Sequence, residues 1–258
     1  MAISKYLVVL IVAVVVVIAL ASLLIYPRLT TPPTKVLKVG TSPDFPPFEF
    51  IDEKGNIVGI DIDLIKAIAK RLGYEVEVIS IDFEGLIPAL LNKQIDIIAS
   101  GMTITEERAE VVAFTTPYWE ADQAILIVMG SGFKPRSLDD LVNKKVGVQS
   151  GTTAEQLVHD YITNTGKSID VRSYSSYVLA VVDLVNGRLD AVIVDSPVAQ
   201  MFAKEYNVEV SAVIQTGEKY GLAVRKDDVE LLNKLNEALE EFLKTDEWIQ
   251  IIDKYLGG

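Results

Sequence analysis

The chain contains no cysteine, which excludes a disulfide framework, a thiolate nucleophile, a zinc–thiolate site and a lipid-modified N-terminal Cys. Histidine occurs once. His159 falls inside an expected helix with no Ser or Asp partner at recognisable spacing, so a Ser-His-Asp triad is unsupported. Positive charge is scarce: 24 Lys and Arg stand against 36 Asp and Glu, for a formal charge of −12. Nucleic acid and anionic membrane surfaces both need a basic footprint, so neither is an expected partner. There is no metal-ligand cluster and no Walker-type phosphate loop, so no metal, cofactor or catalytic residue is expected.

What the 258-residue chain does contain is a near-repeat of itself. Leu90-Leu91-Asn92-Lys93-Gln94-Ile95-Asp96-Ile97-Ile98 and Leu184-Val185-Asn186-Gly187-Arg188-Leu189-Asp190-Ala191-Val192 share one pattern: an apolar helix end, a polar turn, then Asp and an apolar strand. Upstream, Lys38-Val39-Gly40-Thr41-Ser42 is answered by Lys145-Val146-Gly147-Val148-Gln149-Ser150, and Phe83 by Tyr177. Two β-α-β-α-β units predict two similar α/β lobes with mostly parallel central sheets flanked by helices. The crevice between them is the natural place for a small molecule.

Residues 6–26 carry no charged side chain and follow Lys5. About 20 such residues span a bilayer as a helix, which favours an uncleaved membrane anchor over 1–26. A cleaved signal segment is the competing reading, with Ala19-Leu20-Ala21 as a cleavage-like triplet lying inside the apolar run. Either way the remainder is expected outside the cytoplasm. Residues 27–35, rich in Pro and Thr, read as a short extended stalk.

Beyond the stalk, strands are expected over 36–41, 74–79 and 95–99, a hairpin around 48–58, and helices over 61–72, 83–91 and 105–112. The second copy runs as strand 145–148, helix 154–163, strand 169–172, helix 176–186 and strand 191–194, followed by helix 197–206 and strand 208–213. Strands near 124–129 and 220–224 bracket it, and helices 229–243 and 248–256 close the chain. Because the second copy is inserted, lobe 1 is expected to be discontinuous, 36–120 with 221–258, and lobe 2 to be 123–216. Two crossing segments, 118–122 and 216–220, would form the hinge.

Arg108 is the sharpest local oddity. If Thr105 caps the helix, Arg108 stands in its first turn, where a cation opposes the macrodipole. A salt bridge with Glu106 or Glu107 would account for it. So would convergence of the guanidinium and the N–H groups around Thr103 on an anionic ligand. The segment Ser150-Gly151-Thr152-Thr153-Ala154-Glu155-Gln156 fits a capping box of Thr153 with Gln156, and its helix end still offers N–H groups around Thr152. Asp195 ends a strand before Pro197 and fits a helix cap, yet it also faces the carboxyl edge where open α/β sheets bind ligands. Together these residues fit a zwitterion: a carboxylate on Arg108 and an ammonium on Asp195, with Phe45 and Phe83 as flat apolar walls. Asp61 and Asp63 read as a helix cap and a first-turn acid.

At this point residues 36–256 resemble the extracellular solute-binding proteins of ABC importers, in the polar amino-acid group (family 3, with the type II periplasmic-binding-protein fold). The resemblance rests on Gly40-Thr41-Ser42-Pro43-Asp44-Phe45-Pro46-Pro47-Phe48-Glu49-Phe50, Gly59-Ile60-Asp61-Ile62-Asp63-Leu64 and Gly85-Leu86-Ile87-Pro88-Ala89-Leu90. It continues in Ser100-Gly101-Met102-Thr103-Ile104-Thr105-Glu106-Glu107-Arg108, Gln149-Ser150-Gly151-Thr152-Thr153 and Asp190-Ala191-Val192-Ile193-Val194-Asp195-Ser196-Pro197. It implies that Arg108, Thr103 and Thr153, with Thr152 beside them, hold a ligand carboxylate. Gly101 (through its carbonyl) and Asp195, next to Ser100, would hold the ammonium, and Phe45 and Phe83 the side chain. Ser42 and Gln149 stand at side-chain-reading positions and differ from glutamine-specific relatives. The set is closer to members that accept arginine-like side chains, with Asp44 or Glu84 as counter-charges. The implied function is binding of a basic L-amino acid by clamshell closure and delivery to an ABC permease. The alternative is a cyclohexadienyl or arogenate dehydratase-like enzyme on the same fold.

Overall fold

The structure, a computed structural model, describes residues 4–29 and 35–257, with side chains over 4–21 and 35–257. It divides into two units, Met1–Lys35 and Val36–Gly258. In the first, helix α1 spans Lys5–Leu29. No helix among the described residues is long and apolar enough to cross a membrane. The membrane anchor expected over 1–26 is therefore not shown. The expected stalk also differs: 27–29 continue α1, and 30–34 lie outside the described residues.

The second unit opens with β1 (Lys35–Thr41, whose first residue belongs to the preceding unit), β2 (Asp44–Phe45), β3 (Glu49–Ile51), β4 (Ile57–Val58), α2 (Ile60–Arg71) and β5 (Tyr74–Ser80). A 3₁₀ turn, Phe83–Gly85, leads into α3 (Leu86–Leu91), β6 (Ile97–Ile98), α4 (Glu106–Ala109), β7 (Val112–Phe114) and β8 (Trp119–Val128). Then come β9 (Lys145–Gln149), α5 (Thr153–Thr165), β10 (Asp170–Tyr174), α6 (Tyr177–Val185), β11 (Ala191–Asp195) and α7 (Ser196–Glu205). The chain closes with β12 (Val208–Tyr220), β13 (Ala223–Arg225), α8 (Val229–Phe242) and α9 (Asp246–Leu256).

The internal repeat is realised strand for strand. One sheet has the order β5-β1-β6-β13-β7 and the other β10-β9-β11-β8-β12, with a small β2-β3-β4 sheet beside them. In each, the unit's first strand lies between its second and third, and an antiparallel strand from outside the unit follows: β13 on β6, β8 on β11. The sheets are therefore mixed rather than wholly parallel. The repeated Asp does the same work twice. Asp96 accepts from the Lys38 N–H (3.1 Å) and Asp190 from the Lys145 N–H (2.8 Å), tying the third strand to the foot of the first. The turn residues Lys93 (φ 60°) and Gly187 (φ 71°) occupy matching left-handed positions after their helices, which glycine adopts without penalty.

Alternation along the strands explains the core. Leu126, Val192 and Val194 face one cluster, shared with α6 and α7, while Ile125, Ile127, Ala191 and Ile193 face another against α5. Strands buried on both faces read as continuous apolar runs, as these do. On α2, Ile60, Leu64, Ile65 and Ile68 are fully buried at helical spacing.

Two strands are longer than their hydrophobic stretches suggest. β8 begins at Trp119, β12 runs to Tyr220, and they stay paired through Glu218–Ala121 and Tyr220–Trp119. Thr103 bridges to Tyr220. The polar residues of this paired ribbon hid its strand character. β7, also unanticipated, is a three-residue edge strand on β13.

Candidate ligand-binding site

The strand ends β1, β6, β9 and β11 converge on one small, nearly closed space of about 10 Å³, well below the roughly 300–1,000 Å³ of small-molecule pockets, so a ligand of amino-acid size needs the two sides to part. The residues expected to hold the carboxylate, the ammonium and the side chain line it: Ser42, Phe45, Phe83, Ser100, Gly101 and Thr103 from the first half, with Arg108; and Gln149, Thr152, Thr153 and Asp195 from the second. Asp44 and Glu49 line it as well. Glu84 does not; it is exposed and packs against Gly151 at the rim.

Arg108 sits where capping by Thr105 puts it: the Thr105 hydroxyl accepts from the Arg108 N–H at 3.1 Å. The guanidinium reaches back over the Phe83 ring (5.3 Å) and donates to the carbonyls of Thr103 (2.8 Å) and Gly151 (2.9 Å). It thus joins the two halves. Desolvation pulls its pKa down, opposed by the charges of Glu218 and Asp195. No salt bridge to Glu106 or Glu107 forms; the donors turn to the cavity side instead.

Helix α5 is capped by Thr152, whose hydroxyl accepts from the Glu155 N–H (3.3 Å) and donates to the Gln149 carbonyl (2.7 Å). This corrects the expected Thr153–Gln156 box: Gln156 pairs with Asp160. Thr153 is the first helical residue, so its N–H has no partner within the helix. Its hydroxyl donates to Glu218 (2.8 Å).

Asp195 stands at the N-cap of α7 but makes no side-chain capping bond. Its carboxyl instead accepts from Gln123 (2.8 Å) and the Tyr220 hydroxyl, and is turned toward the cavity. Burial drives its pKa up to about 7, and the charge of Glu218 adds to the rise.

The floor is acidic. Ser100 donates to Glu49 (2.9 Å) and accepts from the Ser42 N–H (2.9 Å), so its hydroxyl is already committed within the protein. The other Glu49 carboxyl oxygen is buried without a partner, and burial, then the charge of Asp61, holds the group well above the usual carboxylate range. Asp61 is not the helix cap read from the sequence; Gly59 holds that position. Asp61 is fully buried and accepts from the Gly101 N–H (2.8 Å) and the Tyr118 hydroxyl (2.6 Å), with its pKa pushed to about 7 by desolvation. Gly101 adopts φ 48°, and a Cβ there would stand 2.7 Å from the Phe45 ring.

At the far end Asp44 accepts from Ser42 (3.0 Å), Gln149 (2.9 Å) and the Tyr177 N–H (2.7 Å), again joining the two halves. Desolvation raises its pKa despite these bonds. The rings of Phe45 and Tyr177 lie 5.7 Å apart.

Sequence reading missed Glu49, Gln123, Glu218 and the buried role of Asp61. The available signal was a polar residue at an inward position of an apolar strand, as Glu49 between Phe48 and Phe50 or Gln123 before Ala124.

Two similar α/β halves, a cavity between their strand ends and polar groups arranged for a small charged molecule define a solute-binding protein. The chain belongs to the bacterial extracellular solute-binding proteins, family 3, whose model matches residues 37–258. It is 36% identical over 225 residues to "ABC transporter arginine-binding protein 1" of Escherichia coli, covering 85% of this chain and 90% of that one. It is 37% identical over 230 residues to a "probable histidine-binding protein" of Neisseria gonorrhoeae, covering 87% and 84%. Among solved structures it resembles an ancestral arginine-binding protein bound to arginine, at 46% identity and a TM-score of 0.82, covering 86% and 98%. The chain is a binding protein of the exported class and not an enzyme.

Proposed function

We propose that the cavity takes a cationic L-amino acid of the arginine type, enclosed by closure of two lobes and passed to an ABC permease. The carrying observation is a charge imbalance: among the described lining residues, three carboxyls (Asp44, Glu49, Asp195) face one cation, Arg108. Buried charges need partners. A ligand carboxylate would pair with Arg108 and two ligand cations with two of the three carboxyls, leaving one protonated, as burial favours for Glu49; arginine, lysine and ornithine carry that combination.

The ligand carboxylate meets Arg108 and the N–H groups of Thr103 and Thr153. The ammonium meets Asp195 and the Gly101 carbonyl. The side-chain cation lies toward Asp44 and the unpartnered oxygen of Glu49, between Phe45, Tyr177 and Phe83. Ser42, Ser100, Gln149 and Thr152 act by holding these groups. The lobes are 36–120 with 221–258, and 123–216, and the paired ribbon of β8 and β12 is the hinge; the separate sheets support this division. The names of the relatives, arginine- and histidine-binding, support the ligand class.

Residues 1–26 would hold the protein at the outer membrane face, or be removed on export; the uncharged run 6–26 supports this role. Fractionation of cells expressing the full chain checks it: protein free of the membrane with residue 1 intact excludes an anchor.

Calorimetry against the common amino acids tests the assignment. Arginine or another basic amino acid should bind, and Arg108→Ala should weaken it at least about 100-fold, the scale of a lost buried charge pair. Binding of glutamine or glutamate without any basic amino acid, or full affinity in Arg108→Ala, overturns it.

A further inference from the structure

Glu218 is buried on β12 and lies outside the set of cavity-lining residues, yet it contacts two of the cavity's three threonines, Thr103 and Thr153. One carboxyl oxygen accepts from the Thr103 hydroxyl (2.7 Å) and from the Thr153 hydroxyl (2.8 Å). The other accepts from Gln123 (2.9 Å) and Thr216 (3.2 Å). Thr103 follows β6 in the first half, and Thr153 opens α5 in the second. A single carboxylate therefore ties the two sides of the carboxylate seat together.

A threonine hydroxyl has one proton to donate. Both protons here point at Glu218, so the hydroxyls offer only lone pairs to anything in the cavity. An incoming carboxylate is left with Arg108 and the N–H groups of Thr103 and Thr153 as donors. Separating the halves would pull Thr153 from Thr103 and break at least one bond to Glu218. Hydroxyl bonds to a carboxylate are the stronger kind.

We infer that Glu218 is a positioning residue and an internal latch: it orients Thr103 and Thr153 and biases the ligand-free protein toward the closed arrangement. The inference rests on the two-lobe closure proposed above. It makes part of the closing contact a property of the protein rather than of the ligand, which reduces the population shift the ligand must supply.

The absence of cysteine makes the test direct. Lys66→Cys on α2 and Asn164→Cys on α5, both at exposed positions, take a dye pair for single-molecule energy transfer on the full chain. Ligand-free wild-type protein should show a closed population, and Glu218→Gln should lower its closed-to-open ratio about tenfold, the effect of one charge-assisted bond. Thr153→Val should act in the same direction and Thr153→Ser should restore the wild-type ratio, which keeps the test available if Glu218→Gln fails to fold. A ligand-free wild type that is wholly open, or matching ligand-free distributions in wild type, Glu218→Gln and Thr153→Val, overturns the latch. Saturating arginine is the separate control: if it leaves the wild-type distribution unmoved, the ligand assignment fails, whereas the latch is judged on the ligand-free distributions alone.

Discussion

Replacing Asp195 by Asn should strengthen the empty protein while weakening it as a receptor. The Asp195 carboxyl is buried, and its pKa rises from 3.8 to about 7 on folding, chiefly by desolvation. At about 1.4 kcal/mol per pK unit, keeping it ionised in the fold costs roughly 4 kcal/mol above pH 7. The sign follows from proton counting. Between pH 3.8 and about 7 the folded state holds a proton that the unfolded state has released, so this group's contribution to stability falls as pH climbs through that window. Asn removes the charge but replaces an acceptor by an N–H₂ near the donors Gln123 and Tyr220. One lost hydrogen bond with a donor-to-donor contact returns about 1–3 kcal/mol of the gain. A net stabilisation of about 1–3 kcal/mol at pH 8 remains, or roughly 2–12 °C in Tm for a domain of this size, fading toward pH 4. Arginine affinity should fall by about 100-fold or more, because the ammonium loses its anion. In wild type, arginine binding should release protons near neutral pH and weaken as pH falls below about 7; that linkage should shrink in the variant. Thermal melts with and without arginine at pH 5 and pH 8, and calorimetry in buffers of different ionisation heat, measure all three. A lower ligand-free Tm at pH 8, or unchanged arginine affinity, refutes the reasoning.

Gly101→Ala places a methyl 2.7 Å from the Phe45 ring at a φ of 48°; it should destabilise by about 1–3 kcal/mol and abolish measurable arginine binding, read by melts and calorimetry. Tyr118→Phe removes a 2.6 Å donor from Asp61 and should cost about 1–3 kcal/mol. Because Asp61 titrates near 7, that loss should be larger at pH 8 than at pH 5 in denaturant melts, and an equal loss at both would contradict the charged-acceptor account. Thr152→Ala deletes the cap of α5 and should cost about 1 kcal/mol, lowering Tm by roughly 2–4 °C. Thr153→Ala should leave that cap intact, since its hydroxyl serves Glu218.

The internal repeat made much of the architecture legible. Matching helix ends, turn residues and Asp positions are local features, and local features survive in the order of residues: Asp96 and Asp190 each needed only a strand start within reach. The candidate site was legible for the same reason. Arg108 opposes its helix dipole and Asp195 ends a strand, so both are locally odd. The errors have a common origin. Asp61 and Thr153 each fit a helix cap locally, but the cap fell one or two residues earlier, on Gly59 and Thr152, which freed both side chains for partners distant in sequence.

The order of residues by itself determined two α/β halves, the strand ends that meet and most of the residues lining the space between them, Glu49 excepted, because each depends on periodicity and neighbouring turns. Only the tertiary structure decided where each proton donor points. The donor of Thr153 comes to Glu218 from 65 positions away and that of Tyr118 to Asp61 from 57. Burial, which turns Asp195 into a costly carboxyl awaiting a cation, is likewise a property of the assembled fold, since desolvation depends on everything packed around the group and not on its neighbours in the chain.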